Sequence, residues 1–367
     1  MLLARLFDEA VTFLPSASVD AFHDDLGLSY SRIGVVLALP AIGGILGGAA
    51  SVAADRHSRR VIASAGAFGM AASMLLYALA PSFGLLCAAA VLLGLASTAL
   101  VDGTEIALVD VAGAGLRGAL ARANLLATAG DLAGPAMFAT AVAIGSGWRG
   151  AFVIGALVGA AYGALLASLP IPRPVDDGQR EPLVQSLRSV ARDRRVWRLA
   201  VIAICLNPLD EPFVGFVIAH AQSASWSPAV IAGGFVVGGV IGLAVVSRLA
   251  AGRTDGVTCR AAAVLMLLAI AAVTVTASPL VAAASGALFA VGMTLLWITI
   301  QHRELVLLPG QAGAVTAVVS VLELFGFAVP VAIGVVADRA GLGAAVAAHA
   351  LLPLIVLVLA GGIDGDS

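Results

Sequence analysis

Long apolar stretches alternate with short polar ones along this chain, and the length of the apolar stretches sets the class of fold. About 20 apolar residues are needed to cross a bilayer as a helix. Stretches of that kind are predicted over 4–22, 30–53, 61–80, 83–108, 120–144 and 150–170, and again over 197–221, 228–249, 259–277, 280–301, 312–336 and 343–361. One long polar interval, 171–196, separates the two sets. Pro172, Pro174, Asp176, Asp177 and Gly178 break it, after which Leu183, Leu187, Val190 and Ala191 recur at helical spacing among arginines. That segment reads as an amphipathic helix on a membrane surface or as a solvated linker helix. The pattern predicts an all-α membrane protein with twelve transmembrane helices, organised as a six-helix bundle over 1–170, a linker over 171–196 and a second bundle with a short tail over 197–367.

Composition agrees with the pattern. Hydrophobic residues make up 60% of the chain and charged residues 11%, against about 45–50% and about 25% in soluble domains. The 42 glycines and the 5% of aromatic residues suit helices that pack closely in lipid. Cys87, Cys205 and Cys259 have no metal-type spacing. Asp8 and Glu9 interrupt the first apolar stretch, which reads as an uncleaved first span rather than a leader. A metal-ligand pair, a Ser-His-Asp set and a phosphate loop are all missing from any suitable context, so the chain is not expected to be an enzyme or to carry a cofactor. His349 reads as a packing histidine, and Trp148, Trp197 and Trp226 as interface anchors.

All the basic residues are arginines, and seventeen of the twenty fall in alternate loops once the spans are drawn. Cytoplasmic loops retain positive charge, so both termini are placed in the cytoplasm, leaving Arg32, Arg149 and Arg339 outside. Repetition points the same way. Pro81 and Gly94 recur as Pro279 and Gly292, displaced by 198, while Gly43, Gly44, Gly47 and Pro135 recur as Gly238, Gly239, Gly242 and Pro330, displaced by 195. The pair Asp8-Glu9 reappears as Asp210-Glu211. Two six-span halves of equal orientation form the parallel-repeat arrangement of one large transporter fold.

Two motifs carry a resemblance over essentially the whole chain. The loop after the second span reads Ser51-Val52-Ala53-Ala54-Asp55-Arg56-His57-Ser58-Arg59-Arg60, which resembles the Gly-x-x-x-Asp-Arg-x-Gly-Arg-Arg signature of the major facilitator superfamily, with serine at both glycine positions. The resemblance implies a latch at the cytoplasmic ends of the two halves, held by Asp55, Arg56, Arg59 and Arg60. In the fifth span Gly130-Asp131-Leu132-Ala133-Gly134-Pro135 is similar to the Gly-x-x-x-Gly-Pro core of that superfamily's drug-proton antiporter branch, although Phe138 and Ala139 stand where two more glycines are usual. That likeness implies export in exchange for protons. Physically, Gly130 and Gly134 flatten one helix face and Pro135 removes a backbone hydrogen bond.

Ionisable groups inside spans cost roughly 2.5–3.5 kcal/mol each on insertion scales and are functional candidates by default. Eight acids lie within or at the ends of predicted spans: Asp8, Glu9, Asp102, Glu105, Asp131, Asp210, Glu211 and Glu323. Asp131, Asp210, Glu211 and Glu323 are placed near the midplane. Asp102 and Glu105 lie at the cytoplasmic mouth, and Asp8 and Glu9 are shallow, with Arg5 in position to pair with Glu9. With no arginine predicted at the midplane, the deep acids must be protonated, hydrated in a cavity or paired with a bound cation. The displacement of 198 also carries Glu105 onto Arg303, which suggests an ion pair gating the cytoplasmic mouth. The expected function is proton-coupled efflux of small amphipathic or cationic molecules. Proton-coupled uptake of a nutrient and a non-transporting scaffold or receptor remain as alternatives. The expected partners are protons, a small-molecule substrate and the lipid bilayer, without metal or nucleic acid, for a monomer in the plasma membrane of a bacterium.

Overall fold

The computed structural model describes residues 2–54, 58–112, 116–169, 190–249, 254–308 and 312–363. Helix is the only regular secondary structure among them. The chain divides into two compact units, 1–176 and 177–367. In the first are α1 (Leu3–Ala17), α2 (Val19–Leu26), α3 (Tyr30–Ala54), α4 (Arg59–Leu79), α5 (Phe83–Ala112), α6 (Leu116–Ala143) and α7 (Gly147–Ser168). In the second are α8 (Arg194–Leu209), α9 (Glu211–Ser223), α10 (Pro228–Leu249), α11 (Asp255–Val275), α12 (Pro279–Val306) and α13 (Ala312–Glu323), a 3-10 turn over Leu324–Phe327, then α14 (Ala328–Ala340), α15 (Leu342–Ala348) and α16 (Leu351–Leu359).

Among the described residues ten helical segments can cross a membrane by length and composition, so the protein is a multi-pass membrane protein. The two predicted spans outside that set are helical as well. The first is broken at Ser18 and carries Asp8 and Glu9. In α6 Ala133–Ala143 is a shorter apolar helix among the described residues.

Prolines account for two of the breaks. Pro15 in the last turn of α1 supplies no N–H to the Val11 carbonyl, and the helix ends at Ser18, whose N–H turns to the Pro15 carbonyl while its hydroxyl donates to the Leu14 carbonyl at 2.8 Å. Pro208 and Pro212 flank Asp210, whose backbone leaves the helical region at φ −87, ψ −124. The 30-residue apolar segment Arg194–Ser223 is therefore two half-helices joined at an acid.

The same helices pair in both units. In the first, α5 packs on α3 and α4, α7 on α4, and α6 on α1; in the second, α12 packs on α10 and α11, α16 on α11, and α13 on α8. Glycines set the register of these crossings. A Cβ on Gly43 would strike the Val91 carbonyl, and one on Gly47 would lie 2.8 Å from the Thr98 Cβ. Their counterparts Gly238 and Gly242 meet the Ala287 carbonyl and, again at 2.8 Å, the Thr294 Cβ. The α3–α10 displacement is the expected 195, whereas α5 relates to α12 by 196, as Val91 to Ala287 and Thr98 to Thr294 show. The displacement of 198 taken from Gly94 and Gly292 does not match this register, and under 196 Glu105 is mated with Gln301.

The arginines expected outside are engaged at helix ends. Arg149 donates to the Ala78 and Ala80 carbonyls at 2.7 and 3.1 Å, satisfying acceptors that the end of α4 leaves open. Arg32 lies over the Phe83 ring. Trp148 is buried rather than an interface anchor: its indole donates to Asp25 at 2.7 Å and its ring stands edge-on to Phe22. His349 is buried beside Phe213 and Phe216.

Candidate functional site: the acid clusters of the two units

Asp8 occupies the buried face of α1, one helical turn from Ala4 and in line with Val11 and Pro15. It is 6% exposed, an acid of the protein interior. Its neighbours are Ser97 on α5, within hydrogen-bond reach, and the charges of Arg5 and Glu105. One carboxylate oxygen, Oδ1, has no hydrogen-bond partner among the described residues. Arg5 lies 4.0 Å from Glu9, the pairing expected from their spacing, but its tighter contact is Glu105 on α5 at 2.6 Å.

The glycine motif of α6 closes this cluster from the other side. A Cβ on Gly130 would lie 2.5 Å from the Leu6 carbonyl oxygen and 2.8 Å from the Glu9 Cβ, and one on Gly134 would lie 2.8 Å from the Ala10 carbonyl oxygen. These two glycines therefore bring α6 against the acid-bearing helix at backbone distance. Asp131 follows Gly130 in α6, and its side chain lies outside the described residues. The first unit thus gathers Arg5, Asp8, Glu9, Glu105 and Gly130, which are scattered over 126 positions of sequence.

The second unit arranges its acids around broken helices. Asp210 is the non-helical residue between α8 and α9, and its side chain is exposed. Glu211 and Pro212 open α9, where the positive end of the helix dipole favours a carboxylate. Glu323 ends α13 at the start of the 3-10 turn. A Cβ on Gly326 in that turn would lie 3.1 Å from the Ile204 carbonyl oxygen, a carbonyl that Pro208, four residues on, cannot serve. Glu304, in the last turn of α12, lies close enough to Glu323 for their charges to interact. The sequence reading missed Glu304 because the predicted span stopped at 301, while the helix runs on through Val306.

Arg303 pairs with Asp255 at the start of α11 and donates to the Ile363 carbonyl at 3.1 Å. In this structure, then, Glu105 and Arg303 are each engaged within their own unit. Of the latch, Arg59 and Arg60 open α4, whereas Asp55 and Arg56 lie outside the described residues.

An all-helical, multi-pass chain whose two units repeat the same helix pairings and carry acids at helix breaks has the features of a secondary transporter. The sequence matches the family model of the Major Facilitator Superfamily over residues 1–330, and the chain belongs to that superfamily. It is therefore a transporter of small molecules rather than an enzyme. No curated protein matches the sequence. Among solved structures it is similar to a bacterial homolog of the human lysosomal transporter Spinster, in inward-facing and unoccupied conformation, at 17% identity and TM-score 0.67, covering 100% of this chain and 95% of that one. It is also similar to the nucleoside transporter NupG, at 13% identity and TM-score 0.76 over 99% of each chain. The inward-open xylose transporter XylE from E. coli gives 14% identity and TM-score 0.75, covering 99% of this chain and 93% of that one. At such identities the likeness is one of fold.

Proposed function

We propose that this protein is a proton-coupled exporter of small amphipathic or cationic molecules working by alternating access. In this reading twelve spans form two parallel six-helix repeats in a bacterial plasma membrane, both termini are cytoplasmic, and the transporter acts as a monomer. The observation that carries the coupling is the break at Asp210, which interrupts a 30-residue apolar segment with an exposed carboxylate. An ionised carboxylate in hydrocarbon is costly, so Asp210 needs a proton or a cation whenever water leaves it, and Glu211 stands beside it at the start of α9. A carrier that must be neutralised before its site changes sides is what ion coupling requires. Asp8, Glu9 and Asp131 supply acids in the first unit, and Glu323 a further one in the second. The outward direction is supported by the likeness of Gly130, Gly134 and Pro135 to the antiporter motif. Asp55 with Arg56, Arg59 and Arg60 is assigned to the cytoplasmic latch, and Glu105 and Arg303 to the mouth.

The test is proton flux in proteoliposomes across a panel of amphipathic cations, sugars and nucleosides. Export predicts that cations dissipate an imposed proton gradient from the antiport direction. Flux evoked only by a nutrient moving with protons would replace export by uptake, and the absence of flux with every compound would remove proton coupling.

A further inference from the structure

Each unit carries the same small joint where its first span turns into its second. In the first unit His23 lies in the last turn of α2, Gly27 follows in the left-handed region at φ 62, and Tyr30 opens α3. In the second unit His220 lies in the last turn of α9, Ser225 follows at φ 60, and Trp226 stands two residues before α10. The His23 ring stacks on Tyr30 with centroids 4.3 Å apart, and the His220 ring stands edge-on to Trp226 at 6.1 Å. His23 to His220 is a step of 197 and Tyr30 to Trp226 a step of 196, so the two halves share the contact. Among the described residues Ser225 is the one non-glycine at positive φ; the turn keeps its shape even where the residue best suited to it is missing.

What differs is the chemistry beside the ring. The Leu28 carbonyl, 2.8 Å from His23 Nδ1, can only accept, so Nδ1 holds the proton of the neutral ring and Nε2 is the nitrogen that takes another. Asp20, one turn earlier on α2, is close enough for its charge to act on His23, and Asp24 acts in turn on Asp20. Asp25 is engaged by the Trp148 indole. The arginines at this end of the neighbouring helices are held elsewhere, Arg32 of α3 over Phe83 and Arg149 of α7 by the Ala78 and Ala80 carbonyls. Arg5 and Glu9 lie toward the other end of α1, and Arg59 and Arg60 at the far end of α4. At His220, by contrast, no charged group acts on the ring among the described residues, and Gly343 of α15 lies against it. A proton added to His23 therefore strengthens three contacts at once. The bond to Leu28 becomes charge-assisted, Asp20 gains an opposite charge on its own helix face, and Tyr30 presents its ring to a cation.

We propose that the His23 joint is an acid-responsive clamp: a proton taken up from the outer side locks the outer ends of the first two spans together, and its loss frees them. The joint at His220 has the same shape without the switch. The side from which the proton arrives rests on the outer reading of that face. The clamp itself needs neither a substrate nor the coupling acids.

The test is hydrogen exchange of the full chain in lipid nanodiscs, read by mass spectrometry over residues 24–31 and corrected for the intrinsic pH dependence of exchange. The Gly27 and Leu28 amides both donate to the Phe22 carbonyl, so their exchange reports opening of the joint. From about pH 8 to about pH 5.5, within the range where histidines change charge, protection there is expected to rise about fivefold. The rise is expected to vanish in His23→Gln, which keeps a side-chain donor, and to fall by about half in Asp20→Asn. Residues 221–228 are expected to show no such rise. Unchanged protection in the unaltered protein overturns the proposal, as does a rise that survives in His23→Gln. An equal rise over 221–228 overturns it in favour of a pH response of the whole protein. Where His23→Gln is too unstable to measure, Asp20→Asn decides, and an undiminished rise in that variant overturns the clamp.

Discussion

The two compact units fold alike and hold their acids differently. In the first, Asp8 is buried against α5 and has a permanent cation, Arg5, one turn away. In the second, Asp210 sits at the break between two half-helices with its side chain exposed. The packing that brings α13 onto α8 corresponds to that of α6 onto α1. Helix pairing has therefore been kept while the electrostatics have diverged. A carboxylate near an arginine has part of its counter-charge built into the protein, whereas one without such a neighbour depends on a mobile ion. The second unit is accordingly the better candidate for the coupling step and the first for its control.

The largest effect expected from this contrast is on coupling. Asp210→Asn with Glu211→Gln is expected to reduce proton-driven accumulation in proteoliposomes to background with the fold intact. Asp8→Asn with Glu9→Gln is expected to cost about tenfold, or about 1.4 kcal/mol, because Arg5 still balances Glu105. Equal losses in the two double mutants would erase the distinction between the units, and uphill accumulation surviving the first would remove Asp210 and Glu211 from the carrier role.

A second contrast concerns packing. Gly130→Ala places a methyl 2.5 Å from the Leu6 carbonyl oxygen, whereas Gly326→Ala places one 3.1 Å from the Ile204 carbonyl oxygen. The first is expected to destabilise the protein by about 1–3 kcal/mol and the second by less than about 1 kcal/mol. Thermal unfolding in one detergent checks the order, and a reversed order would mean that the α1–α6 contact is looser than described.

Much of this was readable from the chain and some of it was not. Apolar length located the helices to within a few residues, because transfer of such stretches into lipid overwhelms local propensity. The burial of Asp8 was not anticipated, because its place was judged by distance along the chain, while burial is decided by helix face. Its neighbours Ala4, Val11 and Pro15 already mark that face. The Arg5–Glu105 contact spans 100 positions, and no local pattern encodes it. Glu304 was missed because hydropathy fades a turn before the helix ends. The break at Asp210 was not anticipated either, the span being drawn unbroken over 197–221, although Pro208 and Pro212 are its signal.

Smaller effects separate pairings within a unit from pairings between units. Arg5→Glu and Glu105→Arg are each expected to slow transport, and the double charge swap to restore at least half of the wild-type rate. The swap of Glu105→Arg with Arg303→Glu is expected to restore less, since the partners of both lie in their own units. Partly exposed pairs of this kind are worth about 0.2–1 kcal/mol, so transport rates are a more sensitive readout than stability. Better rescue by the second swap would reinstate the gate between Glu105 and Arg303. Smallest of all is the latch. Asp55→Asn is expected to raise thiol labelling of single cysteines on the cytoplasmic face about twofold, a population shift of about 0.4 kcal/mol, and unchanged labelling on both faces would dismiss it.

One crossing carries a lesson about ancestry. In the first unit Gly66 on α4 lies against Ala96 and Leu100 of α5; in the second, Gly292 on α12 lies against Ala262 and Met266 of α11. At the displacement of 196, Gly66 is the mate of Ala262 and Ala96 the mate of Gly292. The glycine and the alanine have changed places across the contact, and the helices still meet at the same distance. What the duplicated halves have inherited at this point is a combined volume, free to be allotted to either helix. Aligning Gly94 on Gly292 therefore slips by two residues at this crossing, where the contacts, not the glycines, carry the register of the two halves.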